Sequence, residues 1–138
     1  MSYLTDRPID TSELVRGVMR PSDGACIVFE GLVRNHHEGH KVESIFYDAY
    51  RPMAEKEIDR VVSDVSREFA GVAVAVVHRL GHLRVGDTSI AIACSASHRG
   101  DAYAASRAVI DRIKETVPIW KKERGPAGEE WVGWQGRC

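Results

Sequence analysis

No apolar run in this chain is long enough to cross a bilayer, and the opening Met1-Ser2-Tyr3-Leu4-Thr5-Asp6-Arg7 lacks the apolar stretch of an export signal. A cytoplasmic protein is expected. Charge of one sign is not in excess either: 19 Lys plus Arg stand against 20 Asp plus Glu, for a formal net charge of -1. No global field therefore draws this protein to nucleic acid, and any basic site must be local. Cysteine is scarce. Cys26, Cys94 and Cys138 form no C-x-x-C pair, and their odd number argues against a disulfide framework. Cys26 and Cys94 fall in apolar runs, where buried thiols are the simplest expectation. Neither G-x-x-x-x-G-K-[ST] nor G-x-G-x-x-G occurs, which disfavours a nucleotide-binding fold. Internal repeats and linkers are also missing, so the 138 residues are expected to form a single domain over 1–138.

What is present alternates strand and helix patterns. Capping side chains at 10–13 precede a short helix carrying Leu14, Val15 and Val18, and 25–34 is rich in strand formers. A polar loop leads to 42–50, whose alternation fits a half-buried strand, and these two strands are expected to pair as an antiparallel hairpin. After Pro52, the residues Ile58, Val61, Val62, Val65 and Phe69 recur at helical spacing, and Gly71 closes that helix. Strands are expected over 72–80 and 88–96, with a turn over 81–87 between them. A second long helix follows over 101–116, stopped by Pro118, and a last short strand over 129–134. The order implies an α+β fold: a mostly antiparallel sheet with two long helices on one face.

The chemistry-bearing residues concentrate between Ser97 and Glu123. His98 and Arg99 leave a strand and enter a helix, where free N–H groups favour an anion such as phosphate. An ordinary solvated loop fits the same spacing. Lys114, Lys121, Lys122 and Arg124 surround the rigid Pro118-Ile119-Trp120 turn, where a desolvated lysine becomes a base, a nucleophile or a charge clamp. A solvated helix end with lysines complementing the dipole also fits. Trp120, Trp131 and Trp134 among basic residues permit RNA stacking, which the near-zero net charge disfavours. His36-His37-Glu38-Gly39-His40 is not the helical H-E-x-x-H pattern and has no flanking thiols, so solvated loop histidines and no metal are expected. Arg34 ends a strand, either aimed at a ligand or simply at the surface. Lys114 lies some fifteen residues beyond His98-Arg99, roughly 20 Å along a helix, so one small ligand cannot easily touch both within one chain. Two sites, or a symmetric dimer that joins them across its interface, would resolve this.

Phe29-Glu30-Gly31-Leu32-Val33-Arg34-Asn35-His36, the segments Tyr47-Asp48-Ala49-Tyr50 and Pro52-Met53-Ala54-Glu55-Lys56, then His78-Arg79-Leu80-Gly81, Ser97-His98-Arg99, Lys114 and Val117-Pro118-Ile119-Trp120-Lys121-Lys122-Glu123 occur in an order that resembles the MoaE family, the large catalytic subunit of molybdopterin synthase. The resemblance covers about 23–134. It implies an α/β hammerhead-type fold, a homodimer core, and a small ubiquitin-like sulfur carrier at each end of a heterotetramer. The carrier's C-terminal Gly-Gly thiocarboxylate would give sulfur to cyclic pyranopterin monophosphate, two transfers making the dithiolene of molybdopterin. No resident cofactor is implied. Carried over, Leu32, Val33, Arg34, His98 and Arg99 would bind the substrate, Lys114 and Lys121 would stand where thiocarboxylate meets substrate, and Lys122 and Glu123 would flank that point. Lys121 would be the principal catalytic group, and the cysteines would carry no sulfur. One departure is visible: where the family often carries an arginine, Gln135 stands, with Arg137 two residues further on. A non-catalytic module that docks a ubiquitin-like tail in a basic groove is the competing reading, and an RNA-binding protein the next.

Overall fold

The computed structural model describes residues 2–132. The elements are β1 (Leu4–Thr5), α1 (Thr11–Val18), β2 (Ala25–Leu32), β3 (His36–His37), β4 (His40–Lys41), β5 (Ser44–Ala49), α2 (Arg51–Glu68), β6 (Ala73–Arg79), β7 (Gly81–Arg84), β8 (Thr88–Ala96), α3 (Arg99–Thr116), β9 (Ile119–Gly125) and β10 (Gly128–Val132). They form two four-stranded sheets, ordered β1-β6-β8-β2 and β10-β9-β5-β7, with β3 and β4 as a small hairpin. Apart from the parallel β1–β6 pair, the pairings are antiparallel. The expected α+β class is what the chain adopts.

The first sheet is built around β8, buried along almost its whole length between β6 and β2. Its Ile90, Ile92 and Cys94 face α2 and α3, whose Ile58, Val61, Val65, Ala102, Ala105, Val109 and Ile113 complete one core. The apolar spacing of each helix places these residues on a single stripe, and burial of that stripe holds the helix. Pro52 lies in the first turn of α2, where its missing N–H costs nothing, and the chain leaves α3 at Val117 because Pro118 cannot continue it. The short α1, capped by the Asp10 carboxylate on the N–H groups of Ser12 and Glu13, touches β2, β6 and β8, and its buried Val18 stays outside that core. The expectation of helices on one face therefore describes the two long ones.

The expected hairpin between 25–34 and 42–50 does not form. β2 pairs with β8 from Ala25 against Ala96 to Leu32 against Thr88, while β5 lies in the second sheet between β7 and β9. Alternation identifies a strand but not its partner, and here distant pairing wins because Val33, Val42, Ile45 and Leu83 bury together in a second, smaller core. The segment expected as a turn over 81–87 begins with β7. Gly81, at φ +100, takes a backbone conformation open to glycine and turns the chain from β6 in one sheet into β7 in the other. Residues 120–124, given no element from sequence, belong to β9, and the last strand ends at Val132 within the described residues. Trp134, Gln135, Arg137 and Cys138 lie outside them.

Two glycines make opposite predictions. Gly17 sits exposed inside α1 with open space where an added methyl group would stand, so Gly17→Ala is expected to stabilise by roughly 0.5–1 kcal/mol. Gly81→Ala, at positive φ, is expected to destabilise by about 1–2 kcal/mol. Urea denaturation midpoints of the two variants check both signs.

Candidate functional site

Where the two sheets meet the C-terminal half of α3, they line a half-open cavity of about 440 Å³. Its apolar wall comes from both cores, including Phe29, Ile45, Ile90, Ile113 and Val117. Into this wall three elements bring one cation each: Arg34 just beyond β2, Lys114 from the last turn of α3, and Lys121 from β9. Strand alternation explains the third. Lys121 and Glu123 share the inward face of β9, the lysine side chain being 8% exposed and the carboxylate 3.8 Å from its ammonium. A lysine this buried needs such a partner, since desolvation penalises the charged form. The same carboxylate stands 3.9 Å from Nδ1 of His37, which is itself buried.

Leu32 and Val33 also line the cavity, Val33 buried beneath it and Leu32 exposed at its edge. The arrangement departs from the expected set at three places. Lys122 points to the opposite face of β9, where its ammonium lies 3.6 Å from Glu129 and 5.4 Å from the centre of the Trp131 ring. His98 and Arg99 are exposed at the start of α3 and do not line the cavity. From Arg99 to Lys114 the helix advances roughly 22 Å, so the separation inferred from sequence is real within one chain. His37, expected as a solvated loop histidine, is 7% exposed, because the β3–β4 hairpin folds its side chain into the cavity wall. Among the described residues no group of three or more His, Cys, Asp or Glu side chains could hold a metal ion.

Sequence reasoning assigned no role to His78, Tyr47 or Ser89, which line the same cavity. For His78 a signal was available: a polar residue stands in the inward register of an otherwise apolar strand, after Val74 and Val76. Its ring packs edge-on against Tyr47, centroids 5.1 Å apart, and its Nδ1 lies 2.8 Å from the Arg79 carbonyl oxygen. Burial pushes the imidazole down to about 4, the Arg79 bond opposing and the Lys114 charge reinforcing that shift. The thiols move the other way: burial pushes Cys94 up to about 12 and raises Cys26, which leaves both as thiols at neutral pH and poor nucleophiles.

Comparison with known proteins follows the same lines. The family model described as MoaE protein matches residues 4–116. The chain is 42% identical over 130 residues to molybdopterin synthase catalytic subunit 1 of Mycobacterium tuberculosis, covering 94% of this chain and 88% of that one. To the molybdopterin synthase catalytic subunit of Staphylococcus carnosus it is 43% identical over 132 residues, covering 96% and 88%. The crystal structure of molybdopterin synthase from Staphylococcus aureus superposes with a TM-score of 0.92 at 39% identity, over 96% of each chain.

The neutral, buried His78 has a consequence for stability. Its folded value of about 4 lies below the ordinary 6.5, so the unfolded chain binds a proton that the folded chain refuses. Stability is therefore expected to fall as pH drops from about 6.5 towards 4, by at most roughly 3 kcal/mol, and to lose nothing further from this group below that window. The difference in urea midpoint between the wild type and His78→Gln, followed from pH 7 to pH 4, isolates this contribution.

Proposed function

The chain belongs to the MoaE protein family, and from that premise we propose that it is the catalytic subunit of a sulfurtransferase acting on cyclic pyranopterin monophosphate. The sulfur comes from the C-terminal thiocarboxylate of a small ubiquitin-like partner, and the product is molybdopterin. The observation that carries this reading is the convergence of Arg34, Lys114 and Lys121 on one apolar cavity, with Lys121 buried beside Glu123. Both reactants are anions. Bringing them together requires positive charge that is already in place and partly shielded from water, where it acts more strongly than in bulk solvent.

In this mechanism the thiocarboxylate tail enters the cavity and Lys114 orients it. Arg34 supplies a planar fork for the substrate phosphate, with Leu32 and Val33 shaping the edge beside it. Lys121 stabilises the negative charge that develops as sulfur attacks, or moves the proton, and Glu123 holds its ammonium in place. Each transfer forms a carbon–sulfur bond on the substrate in place of a carbon–oxygen bond, whose oxygen stays on the opened phosphate or leaves as water, and water then breaks the carrier's acyl–sulfur bond, leaving the carrier as a carboxylate. Two rounds complete the dithiolene. The cysteines take no part, in keeping with their raised values. Lys122, turned away, supports the β10 edge through Glu129 and Trp131. His98 and Arg99 complete the substrate site of a second copy of the chain, which resolves their distance from Lys114 and makes the homodimer, with a carrier at each end, the working unit. The setting proposed is the cytoplasm. No helix among the described residues is long and apolar enough to cross a membrane.

Incubation of the purified protein with thiocarboxylated carrier and cyclic pyranopterin monophosphate is expected to yield dithiolene product. Lys121→Ala is expected to lower kcat by about a hundredfold or more, and Cys26→Ser to keep activity. Absence of product from the wild type would leave a docking module instead. Mixing His98→Ala with Lys121→Ala chains is expected to recover about a quarter of wild-type activity, since half the dimers are mixed and each carries one intact site. No recovery would place both residues in a site of one chain.

A further inference from the structure

One buried titratable group beside the catalytic lysine has no part in the mechanism above. His37 stands at the end of β3, where Glu38 and Gly39, at φ 48 and 81, make a two-residue turn and His37 pairs with His40 across it. Two contacts tie this hairpin to β9. The Glu43 N–H donates to the Arg124 carbonyl oxygen over 2.8 Å, and Gly125 passes so close to the Lys41 carbonyl oxygen that an added methyl group would collide with it. Val33 and Val42, on either side of the hairpin, are buried in the smaller core. Held in this way, the His37 side chain is 8% exposed and each ring nitrogen faces a carboxylate: Nδ1 stands 3.9 Å from Oε2 of Glu123, and Nε2 3.8 Å from Oε1 of Glu38. The two carboxylates differ in setting. Glu38 is 78% exposed and is served by water, whereas Glu123 is 13% exposed and its Oε2 also stands 3.8 Å from the Lys121 ammonium. One carboxylate oxygen is thus shared between His37 and Lys121.

From this arrangement we propose that His37 is a positioning residue for Lys121, acting through Glu123: the ring fixes the carboxylate from the hairpin side, and the carboxylate in turn fixes the ammonium in the cavity. A glutamate on a strand has several side-chain rotamers, and one that swung towards solvent would leave a nearly buried lysine without its counter-charge. A carboxylate only accepts hydrogen bonds, so the tautomer with its proton on Nδ1 serves Glu123, and the buried carboxylate gains more from a donor than the solvated one. Both gaps at Oε2 exceed a direct hydrogen bond, as catalytic contacts often do before the reactants enter, and closing either takes a shift of about 1 Å. The inference rests on the sulfur-transfer reading only for what Lys121 does. The succession from His37 to Glu123 to Lys121 is a matter of geometry.

A double-mutant cycle separates positioning through Glu123 from a merely structural role. His37→Leu fills the apolar wall without a ring nitrogen, His37→Asn returns an N–H near the place of Nδ1, and Glu123→Gln removes the charge that the ring is to hold. The readouts are competitive acetylation of Lys121 against the exposed Lys56, measured by peptide mass spectrometry, and the steady-state kinetics of dithiolene formation with the thiocarboxylated carrier. His37→Leu is expected to change the Lys121 to Lys56 labelling ratio at least about threefold, and to lower kcat about tenfold with KM for the carrier within about twofold. His37→Asn is expected to stay within about twofold of the wild type in labelling and kcat. In the Glu123→Gln background, adding His37→Leu is expected to change either readout by less than about twofold, because the link it acts through is already gone. His37→Phe keeps a ring without nitrogens and is expected to behave as His37→Leu does; it decides the matter if His37→Leu does not fold. Wild-type labelling and kcat in His37→Leu or His37→Phe, a His37→Asn variant as impaired as His37→Leu, or the full loss repeated in the Glu123→Gln background would overturn the proposal. A wild type that forms no product counts against the sulfur-transfer reading, while the labelling cycle still judges His37.

Discussion

Six backbone pairs between β5 and β9, from Ser44 against Arg124 to Ala49 against Ile119, hold the site together. They carry the chain that leaves α3 back across the second sheet, so that the inward face of β9 looks at the wall made by β2, β8 and α3. Without this ladder Lys121 and Glu123 would trail from a helix end into water. With it, a lysine and its carboxylate are buried beside an apolar surface. The register also decides which lysine faces in, because a slip of one residue would exchange Lys121 for Lys122. Ladder and cavity thus rest on one long-range pairing, between strands that 69 residues separate at their closest.

The electrostatics of the cavity follow from that geometry. Three cations share a space with mostly apolar walls, and such a gathering is tolerable only with compensation. Glu123 provides it for Lys121, and His78, held neutral by burial, adds no further charge to the cavity wall. The positive potential of the three cations is directed at the cavity, the property a pair of anionic reactants would exploit. The net charge of the whole chain gives no hint of this, since it averages a local concentration against a solvated surface rich in both signs.

Much of the first sheet and its helices was legible in the residues themselves. The spacing of Ile58, Val61 and Val65, bounded by Pro52 and Gly71, placed α2 to within about two residues at each end, and the 88–96 strand matches β8 at both ends. These elements announce themselves because their burial pattern is local and periodic. The second sheet was not legible in the same way. Its strands β7 and β9 are short or mix charged with apolar residues, and their partners lie far along the chain, so neither period nor neighbour marks them. The hairpin expected between 25–34 and 42–50 failed for that reason.

The sequence by itself determined which residue types were available for anion chemistry, the family they match, and the length of helix that parts His98 and Arg99 from Lys114. Those properties are carried by composition, order and the fixed rise of a helix. Only the tertiary structure decided that Arg34 joins Lys114 and Lys121, that Lys122 turns away, and that His37 and His78 belong to the same wall. Side-chain direction and burial depend on register and on contacts between distant segments, and these arise from the packing of two sheets against one helix rather than from any local run of residues.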